Sequence, residues 1–93
     1  MLNPDGIYRG YYRVDTRAQN LNRYYTDPKI ELQPTIYATK KAIEQQSEME
    51  KLFVYIDFHA HAGKKGCFMF GNRLYGQKQV DNLLFPKLIS LNR

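Results

Sequence analysis

Two helical stripes of apolar residues stand out in this chain. The first has positions at i, i+4, i+7 and i+11, the period of one helical face, and consists of Leu32, Ile36, Thr39 and Ile43. Pro34 suits the first turn of a helix, so the pattern predicts a helix over residues 34–49. The second stripe also has helical spacing, and consists of Val80, Leu83, Leu84, Leu88 and Leu91. It predicts a helix over residues 77–90, with Pro86 as a kink.

Between the two predicted helices the apolar pattern changes to one typical of strands. Residues 52–58 are aromatic and β-branched, with polar atoms only at Tyr55 and Asp57. This pattern predicts a central strand that is buried on both faces. The pattern also predicts two further short strands, at residues 67–70 and 8–13. Helices alternating with strands around a buried strand are typical of an α/β fold.

Composition narrows the class of protein. Ninety-three residues allow at most one domain, and 14 Lys and Arg against 9 Asp and Glu give a net charge of +5, which favours an acidic partner. The single cysteine, Cys67, cannot form an internal disulfide, which favours a reducing compartment. No apolar run approaches the roughly 20 residues that a membrane helix needs. We therefore expect a cytoplasmic protein without a membrane partner.

Two histidines, His59 and His61, follow the predicted strand at 52–58. Ligands of α/β proteins bind beyond the carboxyl ends of strands, and a neutral imidazole there is a candidate zinc ligand that a carboxylate such as Asp57 could orient. A catalytic zinc takes three protein ligands, and the chain has neither a His-x-x-Glu nor a His-Glu-x-x-His pair. A complete zinc site would need residues from elsewhere. The alternative is a hydrogen-bonded histidine at a strand end.

A second group of candidates consists of Arg13, Asn22 and Arg23. Guanidinium groups bind carboxylates through two parallel hydrogen bonds and stabilise oxyanions, and the amide of Asn22 adds a neutral donor. The alternative is a set of ordinary surface side chains. Tyrosines and arginines also interleave throughout residues 7–25, a composition that fits nucleic-acid binding, although no aromatic recognition signature is present.

Four motifs occur together and in order: NPDG, YYR, NLNR and DFHAH. Together they resemble the zinc metallocarboxypeptidases of the M14 type, and more closely the cytosolic carboxypeptidase branch, whose Lys-Lys-Gly-Cys-Phe-Met-like stretch is matched by KKGCFMFGN. The resemblance covers residues 3–25 and 52–92. It departs from the family at Ala18, where a glycine is common, and at Phe70, where a tyrosine is common.

The resemblance implies a fold and a domain organisation. The chain would be an internal fragment, residues 1–93, of a catalytic domain, and would form part of an α/β/α sandwich around a mixed eight-stranded sheet. Two zinc ligands would precede Asn3, and the glutamate that acts as general base would follow Arg93. A cis peptide bond would join Ala60 to His61.

The resemblance also implies roles for individual residues. His59 would be the third zinc ligand, and Arg13 the catalytic group that polarises the scissile carbonyl and holds the oxyanion. Asn22 and Arg23 would bind the terminal carboxylate of the substrate, and His61 would lie near the substrate.

The activity that the resemblance implies is the zinc-dependent removal of glutamates from acidic protein tails, above all those of tubulin, in the cytoplasm and at microtubules. The chain by itself is expected to be inactive because its catalytic set is incomplete. Two alternatives stay open, a non-catalytic carboxylate-binding module and a basic nucleic-acid-binding surface. The carboxypeptidase hypothesis predicts no nucleic-acid partner.

Overall fold

The computed structural model describes residues 1–92, which fall into two compact units. Unit 1, Met1–Asp57, contains the helix α1 (Pro4–Tyr8), a 3₁₀ helix (Leu21–Arg23) and the helix α2 (Pro34–Glu48). Unit 2 begins at Phe58 and contains the helix α3 (Gln77–Leu91).

Both predicted long helices are confirmed. Helix α2 begins at Pro34, which occupies the first turn as expected, and ends within one residue of the predicted boundary. Helix α3 matches the second apolar stripe and contains Pro86 in its interior. The short helix α1 is capped by Asn3, whose side-chain oxygen accepts a hydrogen bond from the Gly6 amide at 3.1 Å.

The predicted α/β fold is wrong, and so is the prediction of a partial α/β/α sandwich. Residues 1–92 contain no strand, and the chain is 41% helical. Residues 52–58, predicted to be buried, are exposed, with Phe53 at 99% and Phe58 at 88% of full exposure. The physical reason is that a strand needs a neighbour for its backbone hydrogen bonds, whereas a helix closes its hydrogen bonds within its own segment. An apolar β-branched run therefore indicates a strand only where such a neighbour exists.

The core of unit 1 is small and partly polar. Ile36 is 1% exposed and Gln33, which immediately precedes α2, is 2% exposed. A buried amide needs hydrogen-bond partners, and Gln33 has them: its Nε2 donates to Gln19 Oε1, and its Oε1 accepts from the Lys29 amide at 2.9 Å. Gln19 Nε2 in turn donates to the Leu32 carbonyl at 3.3 Å. These contacts attach the loop at residues 14–20 to the start of α2.

Unit 2 contains α3, and side-chain hydrogen bonds connect this helix to the segment before it. Asn82 donates from its side chain to the Asn72 carbonyl at 2.8 Å, and the Leu74 amide donates to Gln79 Oε1 at 2.7 Å. No residue of α3 is buried, and its apolar side chains are exposed. Among the described residues, no helix has both the length and the apolar character needed to cross a membrane.

Candidate functional site

Arg13 and Asn20 form the central contact of the candidate site in unit 1. With the amide of Asn20 oriented so that its oxygen faces Arg13, that oxygen accepts from Arg13 Nε at 2.9 Å and from Nη2 at 3.2 Å. Both donors lie on one edge of the planar guanidinium, so the contact fixes the plane of the group as well as its position. Arg13 itself is exposed and accessible to a ligand.

Asn20 also begins the 3₁₀ helix that carries the other two candidates. Its backbone carbonyl accepts from the Arg23 amide at 3.0 Å, closing the turn in which Asn22 and Arg23 lie. Both of these residues are exposed. The Arg23 side chain makes one long hydrogen bond, from Nη1 to the Asn22 carbonyl at 3.4 Å. The structure thus joins Arg13, through Asn20, to the turn that contains Asn22 and Arg23.

The loop before this turn is held by a carboxylate. Asp15 Oδ1 accepts from the amides of Arg17, at 2.9 Å, and Gln19, at 2.8 Å. Ala18 sits at the tip with φ of 59°, a left-handed conformation in which glycine is favoured. The departure from the family at Ala18 therefore falls where a glycine would be least strained.

The site keeps its positive charge. Within residues 1–92 the ion pairs join Lys29 to Asp27 and Lys41 to Glu44, and neither includes Arg13 or Arg23. Tyr25, just after the turn, shares a 3.2 Å hydrogen bond with the Tyr55 hydroxyl. Burial first, and this hydrogen bond second, raise the pKa of Tyr25 above its usual range.

His59 and His61 lie in unit 2 and are both exposed. His59 Nδ1 lies 2.8 Å from the Ala60 carbonyl. Because a carbonyl only accepts, Nδ1 is the donor in this contact, and Nε2 is the ring nitrogen that remains for another partner. His61 has the opposite arrangement. Its Nδ1 accepts from the amides of Gly63 and Lys64, each at 3.1 Å.

His61 belongs to a small aromatic cluster. Its ring meets Phe68 edge-on, with centroids 5.4 Å apart, and lies 6.2 Å from Phe70. The ammonium of Lys64 lies over both phenylalanine rings, at 4.8 and 4.7 Å from their centroids, within cation–π range. These contacts hold the turn after His61 in a defined shape.

The described residues do not form a complete metal site. Residues 1–92 contain no group of three or more His, Cys, Asp or Glu side chains that could hold a metal ion. The role of His59 as a single zinc ligand stays a prediction. The expected cis bond between Ala60 and His61 is wrong, because residues 1–92 contain no cis peptide bond.

The structure therefore places Arg13, Asn22 and Arg23 in unit 1 and His59 and His61 in unit 2. Sequence reasoning missed Asn20. The available signal was the repeated asparagine in Asn20-Leu21-Asn22, which indicates two amides flanking one turn but does not indicate which side chain Asn20 contacts.

Comparison with known proteins identifies the class as carboxypeptidase. The chain is 39% identical over 95 residues to human cytosolic carboxypeptidase 6, a match that covers 99% of the chain and 19% of that protein. It is 28% identical over 178 residues to bovine cytosolic carboxypeptidase-like protein 5, covering 99% of the chain and 20% of that protein. With cytosolic carboxypeptidase 1 of Xenopus laevis it shares 42% identity over 72 residues, 76% of the chain and 6% of that protein. No family model matches.

The predicted family is confirmed. Over nearly its whole length the chain is a homologue of the cytosolic carboxypeptidases, which are M14-type metallocarboxypeptidases. It spans about a fifth of the length of the curated relatives that it matches across 99% of its own length.

Proposed function

We propose that the chain is part of the catalytic domain of a cytoplasmic metallocarboxypeptidase and supplies the residues that bind the substrate's terminal carboxylate. The proposed reaction is the removal of glutamates from acidic protein tails such as those of tubulin. The observation that carries the proposal is the contact of Arg13 with Asn20, which joins one arginine to the turn bearing Asn22 and Arg23.

Each of the three residues has a chemical task in this proposal. Arg23 and the amide of Asn22 bind the terminal carboxylate, Arg23 through the paired hydrogen bonds that guanidinium groups make with carboxylates. Arg13 faces the oxygen of the scissile carbonyl and meets the negative charge that develops on it. Loss of one such oxyanion donor typically lowers the rate roughly 10²–10³-fold.

His59 is proposed as one zinc ligand, and His61 as a residue beside the substrate. A bound zinc ion polarises a carbonyl and lowers the pKa of its water. This chain contributes His59 to that centre, with Nδ1 held by the Ala60 carbonyl in the way that metal-binding imidazoles are commonly oriented.

The net charge of +5 supports an acidic partner. Positive charge attracts a glutamate-rich tail over longer distances than direct contacts do and raises the rate of encounter. We propose such tails, probed as glutamate-ending peptides, as the substrate class.

The binding half of the proposal can be tested with the 93-residue chain. A peptide that ends in glutamate is compared with the same peptide whose terminal carboxylate is amidated, by calorimetry or NMR titration. We expect the free acid to bind at least about tenfold more tightly than the amide, because hydrogen bonds to charged groups contribute about 1.5–3 kcal/mol.

Arg23→Gln should abolish this preference, whereas Arg9→Gln, which removes the same charge from the end of α1, should retain it. Equal binding of acid and amide would contradict the proposed function.

A second candidate is a carboxylate-binding module without catalysis. The observation that favours it is that residues 1–92 hold no group of three metal-binding side chains. It predicts the same preference for the free acid, no release of glutamate and no change in affinity when zinc is added.

A further inference from the structure

We infer that Asn20 is a positioning residue, which holds the Arg13 guanidinium in place while leaving its positive charge available to an anion. The inference rests on the proposed function for its biological meaning, but its physical content concerns only residues of unit 1.

Asn20 contacts both arginines of the candidate site. Asn20 is tied to one arginine through its side chain, at 2.9 and 3.2 Å, and to the other through its carbonyl, which accepts from the Arg23 amide at 3.0 Å. A single residue therefore sets the relation between Arg13 and the turn that carries Arg23. A long arginine side chain loses considerable rotamer entropy when a ligand immobilises it, and a partner that fixes it beforehand reduces that loss on binding.

The Asn20 side chain is not used to cap the helix that it precedes. Asparagine is among the preferred residues at helix N-caps because its side chain can accept from the first turn. Asn20 occupies that position in the 3₁₀ helix, yet its side chain makes no cap hydrogen bond. Its oxygen faces Arg13 instead, so a capping role does not account for the residue.

An amide at position 20 also leaves the positive charge of Arg13 uncompensated. A carboxylate at this position would also accept from Arg13, but as a bidentate ion pair that neutralises the guanidinium. The amide makes the same two contacts without a negative charge. Since neither ion pair of residues 1–92 includes Arg13, its charge stays available. An asparagine at position 20 therefore favours anion binding, whereas an aspartate would compete with the anion.

The test uses the 93-residue chain, acetate as the probe and NMR of the arginine Nε–H groups. In the unsubstituted chain we expect the Arg13 Nε–H signal to be protected from exchange and to shift on titration with acetate. Asn20→Ala should remove the protection and weaken acetate binding. Asn20→Asp, nearly equal in size, should restore the protection and still bind acetate at least about fivefold more weakly than the unsubstituted chain.

The exchange measurement separates positioning from a general structural effect. Loss of a direct partner changes the exchange of the Arg13 Nε–H, and Asn20→Asp, which has the same shape as asparagine, restores the protection. Protection that is unchanged in Asn20→Ala, or acetate affinity that is unchanged in Asn20→Asp, would overturn the inference. Failure of the proposed function looks different: Arg13 would be protected and would bind acetate, while peptide acid and peptide amide would bind equally.

Discussion

The two units of this chain differ in how their functional candidates are held. In unit 1 a buried isoleucine, a buried glutamine and a chain of side-chain hydrogen bonds fix the loop that leads to Arg13 and Arg23. In unit 2 no residue of α3 is buried. His59 contacts the adjacent Ala60 carbonyl, and His61 contacts nearby backbone amides and the exposed aromatic cluster. The carboxylate-binding candidates therefore follow a loop that is held by side-chain hydrogen bonds to a buried glutamine, whereas the histidines lie in an exposed segment.

The difference teaches that the two functional tasks place different demands on this chain. In the proposed function Asn22 and Arg23 bind the carboxylate and Arg13 meets the oxyanion, and unit 1 contains the contacts that connect these residues. A catalytic zinc takes three protein ligands, and His59 of unit 2 is proposed as one of them. The comparison predicts that substitutions in unit 1 will change stability and binding together, whereas the equivalent substitutions in unit 2 will have small effects on stability.

The largest expected effect comes from the core. Ile36→Ala should lower the free energy of unfolding by about 2–5 kcal/mol, because it leaves a cavity at a fully buried position. Ile89→Ala in α3 is the matched control, since Ile89 is 42% exposed and should cost much less. Urea unfolding of both variants, followed by circular dichroism, measures the difference. Equal losses would show that the two units are equally packed.

Gly6 offers the next test. An added Cβ would lie 2.6 Å from the Val14 carbonyl oxygen and closer still to the Asn3 side chain. Gly6→Ala should therefore destabilise unit 1 by about 1–3 kcal/mol and weaken binding of glutamate-ending peptides. Gly63→Ala in unit 2 is the control, since its nearest contact would be a His61 ring carbon at 3.9 Å. A neutral Gly6→Ala would mean that the contact between α1 and Val14 does not support the site.

Ala18 should respond in the opposite direction. At its φ of 59° the Cβ of an alanine is strained, whereas glycine has no Cβ. Ala18→Gly should therefore stabilise the chain by about 0.5–1 kcal/mol. Ala62→Gly, in unit 2 at a residue without a positive φ, should not stabilise it. The midpoint of thermal unfolding measures both, and a lowered midpoint for Ala18→Gly would contradict the left-handed conformation of this loop.

The smallest expected effect depends on pH. Because burial and the Tyr55 hydrogen bond raise the pKa of Tyr25, the unfolded chain releases that proton near pH 10, the usual value, while the folded chain keeps it. The resulting stabilisation is complete below about pH 10 and is lost as the pH rises toward the folded value. Tyr25→Phe should show a shallower loss of stability between pH 9 and pH 11 than the unsubstituted chain. Identical slopes of stability against pH in the two chains would show that Tyr25 does not contribute to the pH dependence.

Local pattern correctly predicted the two long helices of this molecule, but it wrongly predicted a sheet. The stripes around Ile36 and Leu84 predicted α2 and α3 because helical hydrogen bonds close within a segment. The run at residues 52–58 has the composition of a buried strand, and the described residues supply no strand to pair with it. A strand depends on partners distant in sequence, which local pattern does not reveal.

The same distinction applies to the candidate site. The order of the motifs predicted the family, which is confirmed, and it named Arg13, Asn22 and Arg23, whose roles stay predictions. The part played by Asn20 was out of reach because its neighbour Arg13 is seven positions away, and only the folded loop brings the two together.

The most direct measurement of the central claim is a segment exchange. Human cytosolic carboxypeptidase 6 matches the chain over 95 residues, and that segment can be replaced by this chain and assayed for release of glutamate from a glutamate-ending peptide. We predict that the folded chimera releases glutamate and that Arg13→Gln lowers the rate by about 10²–10³-fold, while Arg9→Gln leaves it unchanged. A folded chimera that releases no glutamate, or one indifferent to Arg13→Gln, would contradict the account.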